Sequence, residues 1–412
     1  MKNRFAPHPT AMRRLRNGPL ATNLDGFAEL LVQQGYSSPA GWKKIRLVAG
    51  LSRWMMQKNL PSEALDEQRA ATFLKLRWRR VAHQSGDQCT LALLLKYLRQ
   101  TDIIPPPATV VLNPIDLIER DYGRFLRQEC GFMSASVGQY LTVARRFLWH
   151  RFRDGKIRLR ELGTKDVSDF ILKDSSIRGR RSAQLMTSVL RSFLNYLFQE
   201  GKTATNLGAA IPATAGGRLS ELPRYLEAAE VEKLLRSCDR RHKVGRRDYA
   251  VLVLLARLGL RASEVANLDL DDIDWTAGEL VIRGKGNRVD RMPLLQEVGK
   301  SVADYLKRGR PRCSTRRVFV QCKAPYAGFS GPPNAVSGIV NRALARAGLN
   351  PVNHGAHLLR HSLATNLLRS GASLTQIGQV LRHQQMQTTE IYAKVDVKAL
   401  RALAQPWPGG AQ

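Results

Sequence analysis

Four stretches decide how this chain reads: GLRASEVANLDLDDI at 259–273, RGKGNR at 283–288, HLLRHS at 357–362 and VLRHQQMQTTEIYAKV at 380–395. Taken singly, each has an ordinary reading. Arg261 can cap a helix or pair with Glu264 three residues later, and Lys285 stands in a Gly-rich turn of the kind that commonly holds a solvated lysine. His357 and His361 are four apart, as in a helical metal pair, yet no third ligand or H-E-x-x-H glutamate accompanies them. Asp269, Asp271, Asp272 and Asp274 lack the glycine of a Ca²⁺ loop and read as helix caps or a solvated loop. Tyr392 alone reads as a packing residue of an amphipathic segment.

Together, the residue types suit one chemical group. A phosphodiester is an anion, and attack on it builds further charge on its non-bridging oxygens. Arginine is permanently protonated and presents a planar fork to phosphate, so Arg261 and Arg360 suit a clamp. A phenol has a reference pKa near ~10, so only about one in a thousand is ionised at neutral pH. Neighbouring cations favour the ionised form, and an imidazole can accept its proton. His357 and Arg360, three apart, share a helix face and can address one phosphate. No P-loop accompanies them: five residues separate Gly278 from Gly284 where the motif has four, and Gly286 stands where Ser or Thr belongs. No nucleotide cofactor is expected.

Composition points to the same partner. Lys and Arg number 65 against 34 acidic residues, a formal net charge of +31. Such an excess repels itself and calls for a polyanion, with DNA or RNA first, because phosphate binding releases counterions. Ribosomal and membrane-surface proteins can be as basic, so charge gives a partner class and no chemistry. The cysteines, Cys89, Cys130, Cys238, Cys313 and Cys322, are odd in number and form no C-x-x-C pair, which argues against a disulfide framework or a structural zinc site. The basic start, MKNRFAPHPTAMRRLRNG, lacks the apolar run of a signal peptide, and no stretch approaches the roughly 20 apolar residues of a membrane span. A soluble, cytoplasmic protein is expected.

Along the chain, 1–22 reads as a loose basic arm. Helical periodicity dominates 23–104, with Leu47, Leu51 and Trp54 on one face, until Pro105-Pro106-Pro107 closes the segment. The next segment, 113–205, echoes it. Gly35 to Gly131 is a shift of 96 residues and Tyr97 to Tyr196 a shift of 99, which suggests two tandem copies of one helical unit. A Gly/Ala/Pro/Thr linker is expected at 206–223. Beyond it, at 224–400, the spacing predicts helices over 227–236, 248–258, 335–347, 355–370 and 374–381, with a hairpin about the turn 284–287. Residues 401–412 form a tail.

In this order and spacing, the four boxes resemble the catalytic domain of the tyrosine recombinase (phage integrase) family, whose active residues run Arg, Lys, His-x-x-Arg, His or Trp, then Tyr. The resemblance is close over roughly the last 190 residues and looser over 113–205, which is similar to the helical core-binding domain of these enzymes. It implies a mainly α fold with a small β-sheet: an integrase-like α+β catalytic domain preceded by one or two helical SAM-like DNA-binding domains. It also implies site-specific DNA recombination without a cofactor or metal, through a 3′-phosphotyrosine on Tyr392. Arg261 and Arg360 would clamp the phosphate, Lys285 would protonate the leaving 5′-oxygen, His357 would partner the phenol and His383 would donate to the phosphate. Tyr392 would ride a separate short helix able to swing into or out of the site. Partners would be double-stranded DNA and further recombinase subunits, as a homotetramer on synapsed DNA or with sister recombinases, the segment 397–403 packing on a neighbour. The extra front unit suits a mobile element. A type IB topoisomerase and a non-catalytic partner of a sister recombinase are the alternatives. One departure stands out: Arg382 precedes His383 where the family usually has glycine.

Overall fold

The computed structural model describes residue 5 and residues 15–79, 81–82, 84, 86–107, 113–132, 134–153, 156–177, 180–211, 224–284, 288–329 and 334–395. The chain folds as two compact units, residues 1–108 with 221–412 and residues 109–220. Among the described residues, no helix is long and apolar enough to cross a membrane.

The front of the first unit is a helical bundle: α1 (Leu24–Gln33), α2 (Ser38–Gln57), α3 (Glu67–Trp78) and α4 (Gly86–Gln100). Local chemistry sets its boundaries. Proline occupies the first turn of α2, where its missing N–H costs nothing, and the Asp66 carboxylate caps α3 by accepting from the Arg69 N–H at 2.7 Å. Leu24, Phe27, Leu31, Ile45, Leu51 and Leu98 form its core. The expected loose arm at 1–22 is corrected at its described positions. Phe5 and Leu20 are buried in that core. The Leu20 N–H donates to Ser52 Oγ at 3.1 Å, and the Ser52 hydroxyl donates to the Asn17 carbonyl at 2.8 Å.

The second unit holds α5 (Pro114–Gln128), α6 (Ser134–Arg151), α7 (Thr164–Ile177) and α8 (Arg180–Gln199). Tyr122, Phe147, Phe193 and Leu197 centre its core. Leu207 and Ile211 are buried in the same core, so the expected linker begins later than 206. Residues 212–223 lie outside the described residues.

The rest of the first unit comprises α9 (Ala228–Arg236), α10 (Lys243–Leu258), α11 (Ala262–Asn267), α12 (Gln296–Arg308), α13 (Asn334–Arg346), α14 (Ala356–Arg369) and α15 (Leu374–Leu381). A three-stranded antiparallel sheet, β1 (Ile273–Asp274), β2 (Glu279–Arg283) and β3 (Val289–Pro293), lies between α11 and α12 in the chain. The apolar run at 250–255 is fully buried in α10, which packs on α12, α14 and α13. This helix starts at Lys243 and not at 248: Lys243 and Val244 face water, while Arg247 and Asp248 are buried as an ion pair at 2.7 Å, which lets polar residues enter the core ahead of the apolar run. In β2, Leu280 and Ile282 point inward at period two; Leu280 pairs with Met292 and Ile282 with Asp290 on β3. The hairpin is as the sequence predicts, although its turn residues 285–287 lie outside the described residues.

Candidate active site

The site starts where α10 stops. Gly259 takes a left-handed φ of 58°, and the chain re-enters helix at α11 with Arg261 at its N-cap. The Arg261 N–H donates to Glu264 Oε2 at 2.8 Å and its Nη1 to Oε1 at 2.7 Å. Of the ordinary readings of Arg261, the ion pair with Glu264 holds; Arg261 stands at the N-cap position, where the accepting group is the Glu264 carboxylate and not its own side chain. Glu264 is buried, whereas a third of the Arg261 side chain stays accessible. A fixed guanidinium with an open edge can still receive an anion.

Helix α14 carries His357, Arg360 and His361. Arg360 is buried and donates through Nη1 to the Gly259 carbonyl and through Nη2 to the Leu381 carbonyl. It ties the end of α10 to the end of α15. Burial, then the charges of Arg261 and Arg382, bring its pKa down to about 10, which leaves it a cation at neutral pH.

Helix α15 opens with a capping box at Ser373 and Gln376 and closes on Arg382, whose backbone is left-handed at φ 55° and ψ 49°. That conformation costs a non-glycine residue about 1–2 kcal/mol, which accounts for glycine being the family's habit here. His383 follows, with Nδ1 at 2.7 Å from Oγ1 of the fully buried Thr389. Burial first, then Arg360, Arg261, His361 and Arg382, lower the His383 pKa to about 4. The ring is neutral at pH 7, and its proton lies on Nε2 in the tautomer in which the Thr389 hydroxyl donates to Nδ1.

Tyr392 lies in a short 3₁₀ segment, Glu390–Val395, where a separate helix was expected after the polar stretch. Its ring is buried among Ala364, Ile377 and Leu381 and stacks on His383 with centroids 6.5 Å apart and planes 1° from parallel. The phenol oxygen is 2.9 Å from Nδ1 of His361. Burial pushes the phenol up to about 12, with Arg360 pulling the other way.

The structure thus gathers Arg261, Arg360, His383 and Tyr392. It sets His357 at the surface, its ring 6.5 Å from that of His361, and gives the phenol to His361. His361 is the residue that sequence reasoning missed. Its one signal is the four-residue spacing from His357, which puts both rings on one helix face. Lys285 lies outside the described residues. The acidic cluster is taken up by arginines and a turn: Asp272 accepts from Arg283 at 2.7 Å, Asp269 pairs with Arg317 at 3.0 Å, Asp271 pairs with Arg316, and Asp274 accepts from the Thr276 and Ala277 N–H groups at 3.0 and 2.8 Å.

Residues 224–399 match the phage integrase family. A protein of Sinorhizobium fredii named as an integrase/recombinase, y4rA, is 43% identical over 98% of each chain. The tyrosine recombinase XerD of Mycobacterium tuberculosis is 30% identical over 68% of this chain and 93% of its own. The fold is similar to that of the XerH site-specific recombinase in a post-cleavage complex with palindromic difH, at 20% identity and TM-score 0.53, covering 72% of this chain and 98% of that one. It is also similar to lambda integrase residues 75–356 on a COC′ core site, at 19% identity and TM-score 0.51, covering 72% and 98%. Fold and site define a class, helical proteins with an integrase-type catalytic domain. Within it, this chain belongs to the tyrosine recombinase (phage integrase) family.

Proposed function

We propose that the protein is a site-specific DNA recombinase that cuts and rejoins strands through Tyr392, in the cytoplasm, for a mobile genetic element. The observation that carries the assignment is convergence: Arg360 of α14 reaches the end of α15, the His383 ring stacks on that of Tyr392, the charges of Arg360 and Arg261 act on His383, and that of Arg360 acts on the phenol. Such a set matches a phosphodiester and its transition state. Arg261 and Arg360 hold the non-bridging oxygens, neutral His383 donates from Nε2, and Tyr392 attacks phosphorus. The phosphate passes to the phenol oxygen as the 5′-oxygen leaves with a proton from Lys285. A second strand's 5′-hydroxyl reverses the step, so bond energy is retained and no nucleotide is consumed. His357 takes the phenol's proton during attack in this reading, and His361 holds the phenol beforehand.

The two helical bundles support the tandem-copy reading. Gly35 and Gly131 are both left-handed at the ends of first helices, and the ring pairs Phe27–Tyr97 and Tyr122–Tyr196 lie 5.9 and 4.9 Å apart. The DNA partner is double-stranded, held through phosphates for affinity and through base edges for sequence. Exchange between two sites calls for four subunits, either identical or shared with sister recombinases.

The test is covalent trapping. Nicked duplexes made from DNA flanking the gene should capture the wild-type chain as a protein–DNA adduct mapping to Tyr392, and Tyr392→Phe should give none. An adduct that survives this change would reject the assignment. Relaxation of a supercoiled plasmid that lacks the mapped site would favour the topoisomerase alternative instead.

A further inference from the structure

One cation of the site has no part in that scheme. Arg382 keeps a left-handed backbone that glycine would occupy freely, yet its side chain is almost wholly buried, at 8% exposure. Its Nη2 donates to Glu264 Oε2 at 2.8 Å, the same carboxylate that holds Arg261. Its Nη1 reaches Met292 Sδ on β3, and its Nε lies 3.9 Å from Asp290 Oδ2 on the same strand. Three pieces thus meet at one side chain: the carboxylate that holds Arg261, the backbone entering His383, and strand β3 of the hairpin.

We propose that Arg382 is a positioning residue for strand cleavage, which sets Arg261 by sharing the Glu264 carboxylate and clasps the β2–β3 hairpin to the same point. Charge arithmetic gives the reason. One buried carboxylate between two guanidinium groups leaves a net positive charge beside the phosphate, and Arg261 needs only one of the two oxygens for its side chain. Without Arg382, Glu264 and Arg261 cancel, and the carboxylate is free to draw Arg261 into a two-oxygen grip that withholds its fork from substrate. The left-handed backbone is then strain retained for a function.

The inference rests on the assignment of Arg261 and Tyr392, so the experiment uses the full chain and the nicked duplex mapped by trapping. Single-turnover cleavage at saturating DNA is compared for Arg382→Gly, Arg382→Met and Arg382→Lys. Glycine removes the backbone strain but also one partner of a buried ion pair, so urea unfolding is measured for every variant and rates are compared on protein that is folded at the assay temperature. We expect Arg382→Gly and Arg382→Met to cleave about 10- to 100-fold more slowly, the scale of one missing charge at close range, with DNA affinity within about threefold. Arg382→Lys restores the charge and should recover much of the rate. A second readout is the pH profile. Burial works to raise the Glu264 carboxyl, but the Arg261 N–H and the charges of Arg382 and Arg261 outweigh it and hold the group below its ordinary value. Arg360 from α14 adds to the positive field, while Asp290 from β3 stands on the far side of Arg382. Losing Arg382 lets Glu264 protonate at higher pH, so the acid limb of cleavage should move upward in the glycine and methionine variants and not in the lysine one. Wild-type rates and an unmoved acid limb in Arg382→Gly, or a methionine variant as fast as the lysine one, would overturn the proposal. Arg261→Ala run alongside separates the two readings. If it cleaves normally, the site assignment fails and takes the proposal with it; if it is inactive while Arg382→Gly is normal, only the role of Arg382 falls.

Discussion

At the scale of single residues, the proposed reaction divides the two histidines of α14 between holding the phenol and reacting. The phenol of Tyr392 is buried with its hydroxyl on His361, and raising its pKa from 10.0 to about 12 lowers the ionised fraction a further hundredfold or so. In the proposed reaction, this is the nucleophile at rest. Truncating His361 leaves a buried hydroxyl without its partner, so His361→Ala should cost about 1–3 kcal/mol of stability, measured by urea unfolding. His357 is exposed, and His357→Ala should alter stability by no more than about 0.5 kcal/mol while slowing strand cleavage. Equal stability losses in the two variants would contradict this division.

His383 gives the molecule a pH dependence of definite sign. Its pKa falls from 6.5 to about 4 on folding, so between these values the unfolded chain binds more protons than the folded one. Stability should therefore be complete above pH 6.5 and decline as pH falls toward 4. The loss is bounded by about 3 kcal/mol and is smaller in practice, because the ring is partly exposed. His383→Gln, which cannot charge, should flatten that part of a thermal-denaturation profile. An identical slope in the variant would assign the acid sensitivity to other groups.

At the scale of elements, the site depends on how helices end. Gly259 terminates α10 with a left-handed turn, and its carbonyl accepts from Arg360. A Cβ there would fall 2.6 Å from Leu381 Cδ2 and 3.0 Å from Leu363 Cδ2. Gly259→Ala combines that overlap with the backbone penalty and should cost about 2–4 kcal/mol. Because the displaced carbonyl is an Arg360 acceptor, cleavage should fall along with the midpoint of denaturation; an unchanged midpoint would show that the turn relaxes freely. The sequence displays this logic only in part. GLR at 259–261 and HLLR at 357–360 announce a turn, a cap and a helix face, because each depends on neighbours in the chain. The pairing of Tyr392 with His361 and the sharing of Glu264 by Arg261 and Arg382 join residues 31 and 118 positions apart. No local periodicity encodes such contacts. Phe5 and Leu20 teach the same lesson at the front of the chain, where two isolated apolar residues in a basic run gain meaning only from the bundle that buries them.

At the scale of the whole molecule, the proposed function predicts that DNA affinity and strand exchange draw on different parts of the chain. Duplex affinity comes from phosphate contacts, each worth a slope of about −0.9 in log K against log salt. With 65 Lys and Arg residues, the chain spreads that capacity widely, and the segment 396–412 contributes only Lys398 and Arg401, partly offset by Asp396. Removing 396–412 should therefore leave affinity for a single mapped duplex within about twofold and the salt slope changed by no more than ~1–2, as read by gel shift across a salt series. Recombination between two sites is another matter. The apolar residues of that segment, Val397, Leu400 and Leu403, recur at helical spacing and suit a surface on a neighbouring subunit. The truncated protein should bind one duplex and form the Tyr392 adduct on a nicked strand, yet fail to produce recombinant junctions from two substrates. Full recombination by the truncated chain would show that subunits join through other surfaces, whereas loss of single-duplex binding would place the segment within the DNA clamp itself.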